Sequence, residues 1–166
     1  MNRIKIARKG IILDINNNKI KVIPARKENI KHKKGILKVF NENIKYFYLT
    51  NKPINMKQHD EWWVKAFKNE IIYVILYDMK VSGYIRLAKK RTKTKEKNEI
   101  SIALSKNLQN SGIGSYALNI FENEMKKKGI RMIIANTKIN NSLGQRFFEK
   151  NNYKKRLIRY EKRIIK

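Results

Sequence analysis

The spacing of apolar residues changes along the chain, and each change of period predicts an element. Residues 10–15 and 19–22 are short apolar runs on either side of Asn16, Asn17 and Asn18, which predicts two strands around a turn. Pro24 ends the second. Between residues 26 and 40, Ile30, Ile36, Leu37 and Phe40 recur at helical spacing among lysines. That pattern predicts a basic amphipathic helix, with Gly35 as its weak position. Residues 41–55 carry Tyr46, Phe47, Tyr48 and Pro53 without a clear period. A second helix is expected over residues 56–67, with His59, Trp62 and Trp63.

Three strands follow, over residues 71–77, 81–88 and 98–104. The first two are so close that they should form a hairpin. The basic stretch 89–97 is expected as an exposed turn, read either as a solvated loop or as a phosphate contact. Tyr116, Leu118, Ile120, Phe121 and Met125 then predict a helix over residues 112–128, stopped by Gly129. A short strand over 131–135 and a helix over 141–150 follow, and residues 153–165 close the chain as one strand or two. This order argues for an α/β fold with a mixed sheet flanked by helices. The strand–helix–strand unit between residues 98 and 135 is long enough for a right-handed parallel crossover.

Composition narrows the class. A chain of 166 residues with 42% hydrophobic content, two prolines and seven glycines reads as one folded domain without a long linker. Forty Lys plus Arg stand against 13 Asp plus Glu, a net charge of +27. Two readings are open: selection for an anionic partner, nucleic acid included, or a compositional bias, since lysine, isoleucine and asparagine recur along the whole length. Either way the surface attracts phosphates, more weakly as salt rises. The absence of cysteine excludes disulfides, Cys-ligated zinc and a thiol nucleophile. With only His32 and His59, no His-rich metal site is expected. The apolar run 71–77 is far too short to span a membrane, so no membrane association is expected. The basic residues 1–8 lead into no long apolar stretch, so a signal peptide is not expected and a cytoplasmic location is.

The candidate chemistry lies at Gln109-Asn110-Ser111-Gly112-Ile113-Gly114, between a strand and a helix. The glycines let backbone approach a ligand, and the first-turn N–H groups of the next helix, with its dipole, form an anion site. Neither nucleotide fingerprint fits: position 117 is alanine, and no lysine–serine pair completes a P-loop. Taken alone, the glycine loop is an anion-binding turn or simply a tight one.

From Leu104 to Gly114 the chain resembles the acetyl-CoA signature of the GCN5-related N-acetyltransferase (GNAT) family: an apolar strand residue, four positions, Gln or Arg, two positions, Gly, one position, then Gly or Ala. A second block, from Asn141 through Phe148-Glu149-Lys150 to Tyr153, is similar to a later motif of that family. Gly144 stands there where serine is common, and Asn152 where glycine is common. The resemblance covers residues 68–153. It implies a single acyl-CoA N-acyltransferase-like domain over residues 1–166 with acetyl-CoA as cofactor. The backbone of Gln109, Asn110, Ser111, Gly112, Ile113 and Gly114 would hold its pyrophosphate. The strand end at Leu104 would meet the pantetheine arm, and Asn141 would bond that arm or cap its helix.

The resemblance implies transfer of an acetyl group to a primary amine by direct attack in a ternary complex. Glu99 is the first candidate for the base, its alternative being a surface glutamate paired with a lysine. The Leu104 N–H is the candidate oxyanion donor, its alternative being a rung of the sheet. Where many relatives carry a tyrosine that reprotonates the thiolate, this chain has Phe148, which has no proton to give. Tyr153 or water could replace it, although Tyr153 also reads as a core aromatic. Residues 41–46 and 54–62 are similar to subgroups that acetylate amino-sugar nucleotides or ribosomal protein N-termini, with Asn41 and the His59–Trp62 spacing kept and Phe40 in place of an arginine. The acceptor expected is therefore a small-molecule amine, with a sugar nucleotide or a ribosomal protein as the forms suggested. Two non-catalytic readings stay beside this one: a basic nucleic-acid-binding domain and a CoA-binding domain without turnover. The terminal strand could pair two subunits into a homodimer.

Overall fold

The computed structural model describes residues 4–6, 12–14, 19–47, 52–91 and 96–156. Among these residues, seven strands form one sheet in chain order: β1 (Ile4–Ile6), β2 (Ile12–Asp14), β3 (Lys19–Pro24), β4 (Glu70–Tyr77), β5 (Lys80–Arg91), β6 (Glu96–Leu104) and β7 (Ile134–Ala135). Neighbours run antiparallel as far as β6, and β6 pairs with β7 in parallel. Among the described residues, four α-helices flank the sheet: α1 (Ile30–Glu42), α2 (Met56–Asn69), α3 (Ile113–Lys127) and α4 (Ser142–Lys150). This is the α/β fold with a mixed sheet expected from the periodicity.

The differences have local causes. Strand β1 is too short, at three residues, to leave a readable alternation, and it exists by pairing with β2. The strand expected over 131–135 shrinks to Ile134–Ala135, with Met132 left exposed. The basic turn is narrower than expected, because β5 continues to Arg91 and β6 starts at Glu96. Residues 153–156 are not in a strand. The rest of the expected terminal strand, and the subunit pairing built on it, lie outside the described residues.

The β4 run Ile71-Ile72-Tyr73-Val74-Ile75-Leu76 is apolar without interruption because helices cover both faces of the sheet. Tyr73 and Ile75 join Ile85, Leu87, Ile100 and Leu104 against Leu118, Phe121 and Met125 of α3. Ile72, Val74 and Leu76 join Tyr84 and Ala103 against Ile36 and Val39 of α1 and Trp63 and Ala66 of α2. Gly35 is needed where α1 crosses β5: a Cβ there would stand 2.4 Å from Val81 Cβ. Asn29 caps α1 through Lys31 and His32 N–H, and Asn55 with Gln58 forms a reciprocal capping box that starts α2.

Both histidines are buried structural groups. His32 Nδ1 accepts the Arg26 N–H at 3.1 Å, which requires a free lone pair. His59 lies 3.0 Å from the Lys33 carbonyl through Nε2 and stacks on Trp62. Burial is the main cause that lowers both below the ordinary 6.5, with Arg26 adding to it at His32. As pH falls below 6.5 the unfolded chain therefore takes up protons before the folded one. Stability should hold above that pH and fall below it, by up to about 1.4 kcal/mol per pH unit for each histidine. Thermal melts from pH 7.5 to 5.5 should show a falling midpoint, with a shallower slope in His59→Gln.

Candidate active site

The pairing of β6 opens a cleft. β7 meets β6 only at Glu99↔Ile134 and Ile100↔Ala135, while β6 continues to Leu104. Beyond Ala135 the chain leaves the sheet, so residues 101–104 lose their neighbour on that side. The gap is a cavity of about 490 Å³, floored by residues 100–104 and walled by Asn136, Thr137, Asn141 and the inner face of α4.

Hydrogen-bond alternation settles which backbone groups face it. Ser105 N–H donates to Ser82 O at 2.8 Å, across from β5. In an antiparallel pair successive residues alternate sides, so the N–H and C=O of Leu104 both turn towards the gap. The Leu104 carbonyl is already claimed there: it accepts Asn43 Nδ2 at 2.9 Å and Gln109 Nε2 at 3.1 Å.

The glycine loop leads from β6 into α3. Gly112 is the N-cap of α3 with φ +88°, a left-handed conformation that side chains resist. Gly114 is buried where a Cβ would lie 3.1 Å from Phe147 Cε2 and 3.4 Å from Leu104 Cδ1. Asn110, Gly112, Gly114 and Ser115 line the cleft, so the first turn of α3 borders it. Ser111 and Ile113 do not. The Ser111 hydroxyl donates to Leu108 O at 2.6 Å, which fixes the loop, and Ile113 is a core residue.

Gln109 lines the cleft, but its side-chain amide turns back into the fold. Nε2 donates to Asn43 Oδ1 at 3.0 Å as well as to Leu104 O. Asn43, just past α1, is 5% exposed and donates a further bond to Val39 O at 2.9 Å. One buried amide thus ties the end of α1, the end of β6 and the glycine loop together. Nothing in the sequence singles out Asn43, since an asparagine behind a helix reads as an ordinary stop. Asn41 clamps the chain before α2, with both side-chain atoms on the Ile54 backbone.

Asn141 lines the cleft and caps α4: its Oδ1 accepts the Gly144 N–H at 3.0 Å, leaving Nδ2 as a donor. Gly144 suits this, because a Cβ there would come 2.7 Å from Asn141 Nδ2. Phe147 and Phe148 complete the α4 wall.

Two candidates are not brought to the cleft. Glu99 is half-buried at the β7 end of β6, opposite Ala88, and is not a lining residue. It stands about 17 Å along the strand from Leu104, too far for direct proton transfer beside that residue. Tyr153 packs on Phe148 at 5.0 Å, and its hydroxyl donates to Glu122 Oε1 at 2.7 Å. Burial first, then Glu122, pushes its pKa far above the ordinary 10.0. The phenol thus keeps its proton and donates it in the hydrogen bond to Glu122, and the ring packs against the core, the arrangement read for Tyr153 as a core aromatic.

Among the described residues that line the cleft there is no aspartate or glutamate, while Arg146 and Lys150 are cations. Together with the α3 N-terminus this gives an electropositive site for an anionic ligand. Among the described residues no three His, Cys, Asp or Glu cluster as metal ligands, and no helix is long and apolar enough to cross a membrane.

A family model described as Acetyltransferase (GNAT) family matches residues 36–153. No curated protein sequence matches. Solved structures do, among them an N-acetyltransferase from Staphylococcus aureus Mu50, 25% identical over 81% of this chain and 83% of that one, with a TM-score of 0.69. A ribosomal-protein-alanine N-acetyltransferase from Brucella melitensis is 15% identical over 78% and 82%, with a TM-score of 0.67. The protein yncA from Salmonella typhimurium, solved with its cofactor acetyl-CoA, is 15% identical over 79% and 77%, also with a TM-score of 0.67. At 15% identity these last two share the fold.

Proposed function

This chain belongs to the GNAT acetyltransferase family, whose acetyl donor is acetyl-CoA, and we propose that as a cytoplasmic N-acetyltransferase it acetylates the primary amine of an anionic or neutral acceptor by direct attack in a ternary complex. The observation that carries this reading is the cleft where β6 outruns β7, bordered by a glycine-capped helix start and lined by no described carboxylate.

The residues present fit the donor. Backbone N–H groups of Gly112, Gly114 and Ser115 would take the pyrophosphate, with Arg146 or Lys150 as counter-charge. Asn141 Nδ2 would bond the pantetheine arm. When bound, acetyl-CoA supplies an activated acyl group on a thioester. The Leu104 N–H, turned to the gap, would donate to the developing oxyanion. The Gln109 side chain would brace the loop, its amide spent on Asn43 and Leu104, beside the backbone role read for the residue.

The acceptor is read from charge. A polycationic amine needs acidic partners, and the described cleft residues include none. An amino-sugar nucleotide brings phosphates that suit the net charge of +27. A ribosomal protein, the acceptor in the name of the Brucella melitensis structure, is the other form to test. Thiol release measured over a panel of amino-sugar nucleotides, protein N-terminal peptides and polyamines should favour the first group. Fastest turnover with polyamines would overturn the acceptor reading.

The amine must also lose a proton. Glu99 shares the α1/α2 face of β6 with Ser101 and Ala103, two residues or about 7 Å from Ser101, so it would act through ordered water. Glu99→Gln should lower kcat several-fold, most at low pH, where little free amine is present. An unchanged pH–rate profile would remove Glu99 from the mechanism.

A further inference from the structure

The phenylalanine at position 148 leaves the departing thiolate without a tyrosine acid there, and the lining of the same cleft holds a phenol. Resting on the acetyl-transfer reading above, we propose that Tyr46 is the catalytic acid, giving its hydroxyl proton to the thiolate of the acetyl donor.

Tyr46 lines the same cleft as Leu104 and Phe148. It ends the 3-10 turn Ile44–Tyr46, and that turn is fixed on three sides. At its start, Tyr46 N–H donates to Asn43 O at 2.9 Å, and the Asn43 side chain bonds the Leu104 carbonyl. The phenol is therefore rooted one turn from the residue that grips the end of β6, where the thioester is expected. On its far side Phe47 stacks on Phe40 of α1, with ring centroids 4.8 Å apart. Across the cleft, Lys138 Nζ donates to Lys45 O at 3.1 Å and ties this turn to the wall after β7.

The other described lining groups are poorer donors. Ser101, Ser115 and Thr137 carry alcohols, far weaker acids than a phenol. Arg146 keeps its proton. Lys150 is exposed on the last turn of α4. Lys45 Nζ lies 4.8 Å from the Tyr46 ring centroid, a cation–π contact that helps to hold the ring in place.

The step balances. The C–S bond breaks with its electron pair going to sulfur, the Tyr46 O–H bond breaks, and an S–H bond forms. The phenolate recovers a proton through water from the nitrogen that attacked, which sheds it on becoming an amide. Nothing is oxidised or reduced.

The test compares CoA with desulfo-CoA by titration calorimetry at pH 8.5, so that no acceptor is required. Wild type should prefer CoA, because Tyr46 meets its sulfur. Tyr46→Phe should lower that preference about three- to tenfold and leave desulfo-CoA affinity unchanged, which also reports an intact fold. Adding Phe148→Tyr to Tyr46→Phe should restore the preference from position 148. A preference unchanged within twofold in Tyr46→Phe overturns the proposal. Failure of wild type to bind either ligand would instead overturn the acetyl-CoA reading beneath it.

Discussion

Gly114→Val should weaken acetyl-CoA binding by about ten- to a hundredfold while leaving a folded protein. The residue is buried between the start of α3, the end of β6 and Phe147 of α4. A lone Cβ would already press Phe147 Cε2 at 3.1 Å, so alanine needs a shift of a few tenths of an ångström. The branched γ-carbons of valine add atoms where three elements meet. Overpacking of this kind costs about 1–3 kcal/mol. Phe147 lines the cleft and is the movable neighbour, so the strain should appear largely in the site. At 1.4 kcal/mol per decade that gives the range stated. Gly114→Ala should fall between wild type and valine, and calorimetry on the three proteins checks the order.

Asn43→Ala should be the most destabilising single change outside the apolar core, and it should weaken acetyl-CoA binding as well. The Asn43 amide donates to Val39 O and Leu104 O and accepts from Gln109 Nε2. Gln109 and the Leu104 carbonyl keep each other after truncation. Val39 O loses the Asn43 amide inside the fold. Leaving that buried carbonyl without its partner costs about 1–3 kcal/mol. For a chain of this size each kcal/mol moves the melting midpoint by about 2–4 °C, so a fall of about 2–12 °C is expected. Because the same amide holds Leu104 and the glycine loop, the affinity loss should exceed that of Asn41→Ala, whose bonds go to Ile54 outside the cleft. Equal effects of the two substitutions on binding would mean that Asn43 only stabilises the fold.

Those residues also mark what could be read from the chain. Gly112 and Gly114 were legible because a left-handed cap and a crowded helix start both exclude a side chain, and that exclusion is written as glycine. The strands β3 to β6 were legible because apolar runs separated by short turns allow few other arrangements. Asn43, by contrast, acts through partners distant in sequence, with Leu104 and Gln109 supplied by β6 and the loop after it. Tyr153 was legible as a core aromatic beside its alternative as an acid, and the fold adds the partners no sequence shows: its ring packs on Phe148 and its hydroxyl donates to Glu122. Glu99 fell between these cases: strand alternation and spacing name its face and its distance from Leu104, but not where β7 ends and the gap begins. Gln109 was legible for its backbone place in the loop, but the bracing bonds of its side chain to Asn43 and Leu104 were not.

The most direct test of the account is a calorimetric titration of acetyl-CoA into the wild-type chain in about 0.15 M salt, repeated with Gly114→Val. Saturable binding at one site per chain is expected, weakened at least tenfold by the substitution. Weak binding at several sites, lost as salt rises and indifferent to Gly114→Val, would contradict it, because a charge of +27 alone would then explain the attraction.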